Sequence, residues 1–385
     1  MTRRGILCSF FIVAIASVAL GQSSSAPFDL LWTPGSCLNC RIVQQLGDLG
    51  SFSAGSVLAG GYFFPTEGQG SGDYSVVRSR DGGRHWTEIA KSRMHATGPS
   101  ISFLNEKTGW ISGESMDASE WILRTDDAGS HWRKLSEHFI QGMEFITPLV
   151  GVGSEFDGNT SEFAKTTDGG RTWHRSAVPD VKFISRIVFI TPEIGWIAGT
   201  NALSDDLNGR VAYVLRTVDG GRSWKSCQIP SENRVADIQD LFFLNASDGW
   251  LITWHFNNEG THLFRTTDGG RTWLPHPDPT IQGPEKWLSV VRFLNSRIGF
   301  AFSRDEQIDD EVEPPAMGVV ANPETGPSDT GKLLYTDDGG DHWQTHPLGA
   351  WVSDCKIVGS ELGCAASKEK PGFWLLHIRM KTETR

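Results

Sequence analysis

The stretch Thr266-Thr-Asp268-Gly-Gly270-Arg-Thr-Trp273 decides the reading of this chain, because it occurs in six versions. The others are Ser79-Arg-Asp81-Gly-Gly83-Arg-His-Trp86, Thr125-Asp-Asp127-Ala-Gly129-Ser-His-Trp132, Thr166-Thr-Asp168-Gly-Gly170-Arg-Thr-Trp173, Thr217-Val-Asp219-Gly-Gly221-Arg-Ser-Trp224 and Thr336-Asp-Asp338-Gly-Gly340-Asp-His-Trp343. The common form is Ser/Thr-x-Asp-x-Gly-x-x-Trp. Each part has a physical task. The carboxylate is expected to accept backbone N–H groups one and two residues on, as in an Asx turn. The Gly permits a positive φ, which makes the stretch a hairpin turn. The Trp opens the following strand and brings a large ring to bury.

The turn aspartates are separated by 46, 41, 51, 49 and 70 residues. A four-stranded propeller blade takes about 40–50 residues, and no amphipathic helical repeat of that period is visible. A second signature lies upstream of the turns. Phe103 precedes Gly109-Trp110, Phe145 precedes Gly151-Val152, and Phe189 precedes Gly195-Trp196. Phe243 leads to Gly249-Trp250, Phe293 to Gly299-Phe300, and Ile357 to Gly363-Cys364. The step is seven residues each time, which implies a fixed hairpin between strand A and strand B. Strand C follows as Leu-Arg-Thr or a close variant, and the Asp turn joins it to strand D.

The ends complete the ring. Phe373-Trp374-Leu-Leu-His-Ile reads as a strand C with no Asp turn after it, so the last blade lacks an outer strand. Leu30-Leu31-Trp32-Thr33 stands unassigned near the N-terminus and is expected to supply it, which leaves no open sheet edge. Strand A of the first blade is expected near Arg41–Leu46. The fold class is therefore all-β: a seven-bladed propeller of four-stranded antiparallel blades, closed by the N-terminal strand.

These turns, with Gly-Trp strands before them, resemble those of the BNR/Asp-box propellers within the sialidase-like group. The wording Leu/Phe-Arg-Thr of strand C run into the turn, as in Leu215-Arg-Thr-Val-Asp-Gly-Gly-Arg-Ser-Trp224 and Phe264-Arg-Thr-Thr-Asp-Gly-Gly-Arg-Thr-Trp273, is most similar to the photosystem II assembly and stability factor family. That resemblance implies a non-catalytic platform that binds an immature membrane protein, with a basic surface patch involved. This chain differs in its charge.

Arg3 and Arg4 precede an apolar run from Ile6 to Leu20 and a small-x-small site at Ala19-Leu20-Gly21. This is the pattern of a secretory signal peptide, so residues 1–21 are expected to be removed and residues 22–385 to form one exported propeller. Without the leader, 33 basic residues stand against 46 acidic ones, a net charge of −13 that disfavours nucleic acid or anionic lipid as partner. Five cysteines would remain: Cys37, Cys40, Cys227, Cys355 and Cys364. Cys37-Leu-Asn-Cys40 is read as a local disulfide in preference to half a zinc site, since no second Cys or His pair stands at matching distance. The other pairings are left open. No metal and no cofactor is expected.

Blade topology puts all six Asp turns on one face, where their regularity assigns them to structure. The B–C and D–A connections form the other face, and irregular loops on a rigid scaffold are where function tends to sit. Acids expected in those B–C loops are Glu67, Asp73, Glu114, Asp117, Glu120, Glu155, Asp157, Glu162, Asp205, Asp206 and Glu259. An insertion at 303–331 adds eight more, including Asp309, Asp310 and Glu311. Three tryptophans outside the repeat map to the same face: Trp254 in a B–C loop, and Trp287 and Trp351 in D–A connections. Exposed Trp offers a platform for a sugar ring or a protein hot spot.

Two functions compete. One is a monomeric platform that binds a protein, a basic one by charge, or a carbohydrate through this acidic face. The other is a glycoside hydrolase, sialidase-like or β-glucan-active, with Arg93, Arg186, Arg234 and Arg292 converging near the centre. That reading needs paired carboxylates at a set separation, and nothing in the sequence pairs two of them. HExxH, GxSxG, P-loop and dinucleotide fingerprints are absent from the sequence. The platform is the favoured expectation.

Overall fold

A computed structural model describes residues 26–37, 43–52, 57–63, 73–93, 100–114, 119–201, 211–229, 235–255, 260–275, 287–304, 331–367 and 373–381. Every element among them is a strand, beginning with β1 (Phe28–Cys37). Blade 1 is β2 (Val43–Phe52), β3 (Val57–Phe63), β4 (Asp73–Ser79) and β5 (His85–Arg93). Blade 2 is β6 (Ser100–Phe103), β7 (Gly109–Glu114), β8 (Glu120–Thr125) and β9 (Arg133–Ser136). Blade 3 is β10 (Gln141–Phe145), β11 (Gly151–Phe156), β12 (Ser161–Thr166) and β13 (His174–Ser176). Blade 4 is β14 (Phe183–Phe189), β15 (Gly195–Thr200), β16 (Ala212–Thr217) and β17 (Lys225–Cys227). Blade 5 is β18 (Val235–Phe243), β19 (Gly249–His255), β20 (Thr261–Thr266) and β21 (Leu274–Pro275). Blade 6 is β22 (Trp287–Phe293), β23 (Gly299–Arg304), β24 (Gly331–Thr336) and β25 (Gln344–Pro347). Blade 7 holds β26 (Trp351–Val358), β27 (Glu361–Ser367) and β28 (Phe373–Met380), and β1 is its fourth strand.

That closure is the one expected from the sequence. β1 pairs antiparallel with β28 from Phe28↔Met380 to Gly35↔Phe373, then runs parallel to β5 at Ser36↔His85. Blades 1 and 7 thereby become one eight-stranded sheet. Phe28 anchors the strand in an aromatic cage, 5.5 Å from Phe300, 5.1 Å from Tyr335 and 5.2 Å from His346. The first inner strand is β2, which overlaps the expected segment from Val43 to Leu46 and continues to Phe52. Arg41 and Ile42 lie outside the described residues.

Middle strands are covered on both faces by neighbouring blades, so they read as continuous apolar runs: Trp196, Ile197 and Ala198 are all fully buried. The Phe and Gly-Trp signatures meet at these interfaces. Trp110 stacks on Phe145 of the next blade at 3.7 Å, Trp196 on Phe243 at 3.5 Å, and Trp250 on Phe293 at 3.6 Å. The turn Trp of that next blade closes each stack edge-on, as Trp273 does against Phe243. Val152 replaces Trp in blade 3, and Phe163 of strand C fills the gap against Phe189. Gly before Trp is a packing requirement. A Cβ on Gly249 would lie 2.5 Å from the Phe243 ring.

Each Asp turn uses its carboxylate over a longer reach than an Asx turn would. In blade 3, Asp168 Oδ1 accepts the N–H groups of Arg171 (2.9 Å) and Thr172 (3.0 Å), three and four residues on. The expected bonds to residues one and two positions on are not made, because the Thr166 hydroxyl takes the Gly170 N–H and donates to Asp168. Oδ2 takes the side chain before the Trp: a hydroxyl in Thr172, Ser223 and Thr272, an imidazole in His85, His131 and His342. Asp127, Asp219, Asp268, Asp338 and Asp81 repeat the pattern. The turns also reach sideways. Trp110 Nε1 donates to Gly169 O and Trp196 Nε1 to Gly269 O, while Lys165 Nζ reaches Pro192 O and Gly220 O of the next blade.

Blade 7 departs from the common hairpin. Gly363 pairs with Lys356, one residue short of the Phe243↔Gly249 register. Gly359, at φ 61°, makes a two-residue turn where blades 2 to 6 have a five-residue loop, so the seven-residue step survives without the same pairing.

Candidate functional site

Inner strands line a central channel: β6 touches β2 and β10, β18 touches β14 and β22, and β26 touches β22 and β2. Polar side chains on these strands stitch blade to blade. Ser102 Oγ accepts the Phe145 N–H at 2.8 Å, and Glu144 accepts the Phe189 N–H. Asp240 Oδ2 accepts the Val291 N–H at 3.0 Å, and Asp354 Oδ2 accepts the Leu49 N–H at 3.1 Å. The last of these joins the end of the ring to its beginning.

Arg292 is the centre of this network. Its Nη1 donates to Asp240 at 2.6 Å and to Val291 O at 2.7 Å, its Nε donates to Cys355 O at 3.0 Å, and its Nη2 reaches Asp354 at 3.4 Å. Burial works to lower its basicity, and the two carboxylates reverse that and hold the guanidinium above its usual range. Arg186 is looser, with Nε 3.8 Å from Asp240 and a side chain 42% exposed. Glu144, on the inner strand β10, is exposed at its surface and closely surrounded by protein. Burial raises its carboxyl, opposed by Lys356, the Phe189 N–H and Arg292.

Of the four arginines expected to converge, then, Arg186 and Arg292 meet at Asp240. Arg93 ends β5 with its side chain outside the described residues, and Arg234 lies outside them altogether. The two that meet are engaged with acids, and each guanidinium nitrogen of Arg292 has a protein partner. The acids of the network were not singled out in sequence. The available signal was a charge one or three positions from the inner-strand Phe, as at Glu144 beside Phe145 and Asp240 before Phe243.

The other face carries the tryptophans, with a correction to their setting. Trp254 is in β19, Trp287 opens β22 and Trp351 opens β26; all three belong to strands, because the pairings Trp254↔Thr261, Trp287↔Arg304 and Trp351↔Ser367 extend the ladders to the blade ends. Trp254 and Trp287 stack across blades 5 and 6 at 6.0 Å and 27°. All three are half-buried. The acids also move. Asp73, Glu114, Glu120, Glu155 and Glu162 sit in strands, since ladder pairing continues past the expected loop starts. Glu114 is buried, and Glu155 is met by Arg175 at 3.2 Å and His138 at 3.6 Å. Asp157 lies in a turn. Glu67, Asp117, Asp205, Asp206, Glu259 and the insertion acids with Asp309, Asp310 and Glu311 lie outside the described residues.

On the opposite face the turn acids are committed internally. The Ser223 hydroxyl, then its N–H, brings the Asp219 carboxyl down to about 2. At Asp168 and Asp338 burial pushes upward, and the N–H and side chain of Thr172 and of His342 prevail, leaving both at about 2. Cys355 and Cys364 face each other across β26 and β27 as a disulfide. Cys227 is a buried thiol pushed up to about 12 by burial. Cys40 and the Cys37 side chain lie outside the described residues, as do residues 1–21. Among the described residues no cluster of three His, Cys, Asp or Glu is placed to hold a metal.

The chain is a seven-bladed β-propeller built on Asp-box turns and closed by its N-terminal strand. It is similar to the photosystem II assembly lipoprotein Ycf48 of Synechococcus sp. (strain CC9902), 24% identical over 271 residues that cover 65% of this chain and 75% of the relative. Among solved structures it is similar to YCF48 bound to a D1 peptide, with TM-score 0.59, 13% identity and coverage of 92% and 96%. YCF48 from Cyanidioschyzon merolae matches at TM-score 0.59 and 15% identity, covering 91% of this chain and 99% of that one. The β-propeller domain of the Trilobed protease from Pyrococcus furiosus matches at 0.55 and 11%, covering 89% and 98%. At these identities the structural likeness shows the fold. No family model matches the chain.

Proposed function

We propose that this chain is a non-catalytic assembly factor, exported by its N-terminal leader, that binds an extended segment of a client protein. The docking surface is the loop-rich face with Trp254, Trp287 and Trp351, and the acidic insertion at 303–331 favours a basic client. The observation that carries the reading is the stacked Trp254–Trp287 pair bridging two blades at that rim, the kind of rigid aromatic surface that anchors protein interfaces. Similarity to Ycf48, and the existence of a YCF48 structure with a D1 peptide, support a peptide-binding role. Engagement of Arg292 by Asp240 and Asp354 speaks against a free carboxylate clamp in the channel, and so against the glycoside hydrolase.

The test is capture from an envelope fraction by the intact protein, compared with Trp287→Ala, Trp351→Ala and a deletion of residues 305–330. A specific client whose recovery drops at least about tenfold in the Trp variants is the expected result, in line with the cost of truncating an interface aromatic. Equal recovery by all three variants would remove this face. Turnover of sialosides or β-glucans by the intact protein would overturn the non-catalytic reading.

A further inference from the structure

The N-terminal strand that closes the ring is flanked by two imidazoles. His346 of β25 lies 5.2 Å from Phe28, edge to face, inside the cage with Phe300 and Tyr335. Its Nε2 is buried and has no hydrogen-bond partner among the described residues. His377 of β28 stands directly opposite Leu31 of β1 and opposite Gly363 on its other side. Other ties of β1 include Lys381, which donates its N–H to Pro27 O and its Nζ to Ala26 O, the edge-on Trp32–Trp374 contact, and the strand pairings to β28 and β5.

We propose that closure of the propeller by β1 is a pH-sensitive latch, loosened when His346 and His377 take up protons. A proton on His346 adds a second N–H and a positive charge in an aromatic enclosure with no acceptor for it, and burying an unpaired charge is costly. Burial lowers the basicity of His346 in agreement with that geometry. For His377 burial again leads, with Glu361 working against it and Arg379 with it.

The surrounding charges do not cancel the effect. On β24 the Tyr335 phenol, which shares the Phe28 cage with His346, supplies no anion near neutral pH, its acidity being weakened further by burial. On β1, Asp29 is exposed and lies 3.6 Å from Lys381. Glu361 on β27, the acid that favours protonated His377, is bonded to Arg379 at 2.6 Å. Both imidazoles therefore take up a proton less readily in the closed ring than in the unfolded chain, where a His titrates near about 6.5. Closure is then at full strength above that pH and weakens as the pH falls through it toward the lower folded values.

The measurement is amide exchange on the full chain at pH 7.5 and 5.5, corrected for the intrinsic exchange rate. Peptides covering β1 and β28 are compared with a peptide covering β15 in blade 4. In the natural protein the opening of β1 relative to β15 should rise on acidification, by about threefold or more. His346→Phe and His377→Leu, taken singly, should each flatten that rise. Should His346→Phe fail to fold, His346→Gln, neutral at both pH values, replaces it. A β1-to-β15 ratio that does not change with pH overturns the latch, as does a rise that persists in both variants. A purely structural role for either His would shift the ratio equally at both pH values.

Discussion

Replacing Arg292 with alanine separates a structural arginine from a substrate clamp. In the folded protein its guanidinium joins Asp240 of blade 5 and Asp354 and Cys355 of blade 7. The Asp240 side chain is 3% exposed, so the substitution strands a nearly buried carboxylate. Removing one partner of a buried pair costs about 3–5 kcal/mol. Asp240 keeps the Val291 N–H and a distant Arg186, which puts the loss at the low end, about 3 kcal/mol. That is more than a hundredfold in the folded-to-unfolded ratio at about 1.4 kcal/mol per decade. Urea unfolding at pH 7 should register it as a midpoint drop of up to about 1 M, for a slope of at least about 3 kcal/mol per molar. The double variant Arg292→Ala, Asp240→Asn should recover part of the loss, because the stranded charge is gone. A loss below about 1 kcal/mol in Arg292→Ala, or no recovery in the double variant, would refute this account of Arg292.

Three further outcomes are expected. Thr336→Val removes the hydroxyl that accepts the Gly340 N–H and donates to Asp338, and should cost about 1–3 kcal/mol in urea unfolding because that N–H is buried; an unchanged midpoint would mean the turn is held by its other bonds. Asp168, Asp219 and Asp338 have folded carboxyls at about 2, below the unfolded value near about 3.9. Their contribution is full above the unfolded value and is lost as pH falls toward 2, so stability should drop between pH 4 and 2, and equal stability at pH 3 and pH 5 would contradict the assignment. Cys227, with its thiol pushed up to about 12, should resist iodoacetamide at pH 8 until the chain is unfolded, as read by mass mapping of its peptide; rapid labelling of the native protein would show that blade 4 opens there.

Much of the molecule was legible in the residues, and the reason is distance along the chain. An Asp turn is completed by bonds that each span about four positions, as those between Thr166 and Thr172 do, so its chemistry is written locally and counts the blades. Gly-Trp after Phe is equally local, since the Gly is needed where the Phe ring of the same hairpin lies. Local writing also located the missing outer strand and hence the closure by β1. It misled where pairing, which adjacent residues do not show, decides the outcome: Trp254, Trp287 and Trp351 looked like loop residues until their ladder partners placed them in strands.

What the sequence by itself determined, then, is the repeat: the number of blades, the hairpin register of blades 2 to 6 and the strand that closes the ring. Only the tertiary structure decided what the unrepeated residues do. Arg292 and Asp240 are 52 positions apart, and Asp354 and Leu49 are 305 apart, so no local pattern could reveal that they join blades around the channel. Nor could it show Phe28 meeting His346 in the cage. Asp354 meets Leu49 because the closed ring brings the last blade against the first, Phe28 meets His346 because the N-terminal strand completes blade 7 beside blade 6, and Arg292 meets Asp240 because blades 5 and 6 pack side by side.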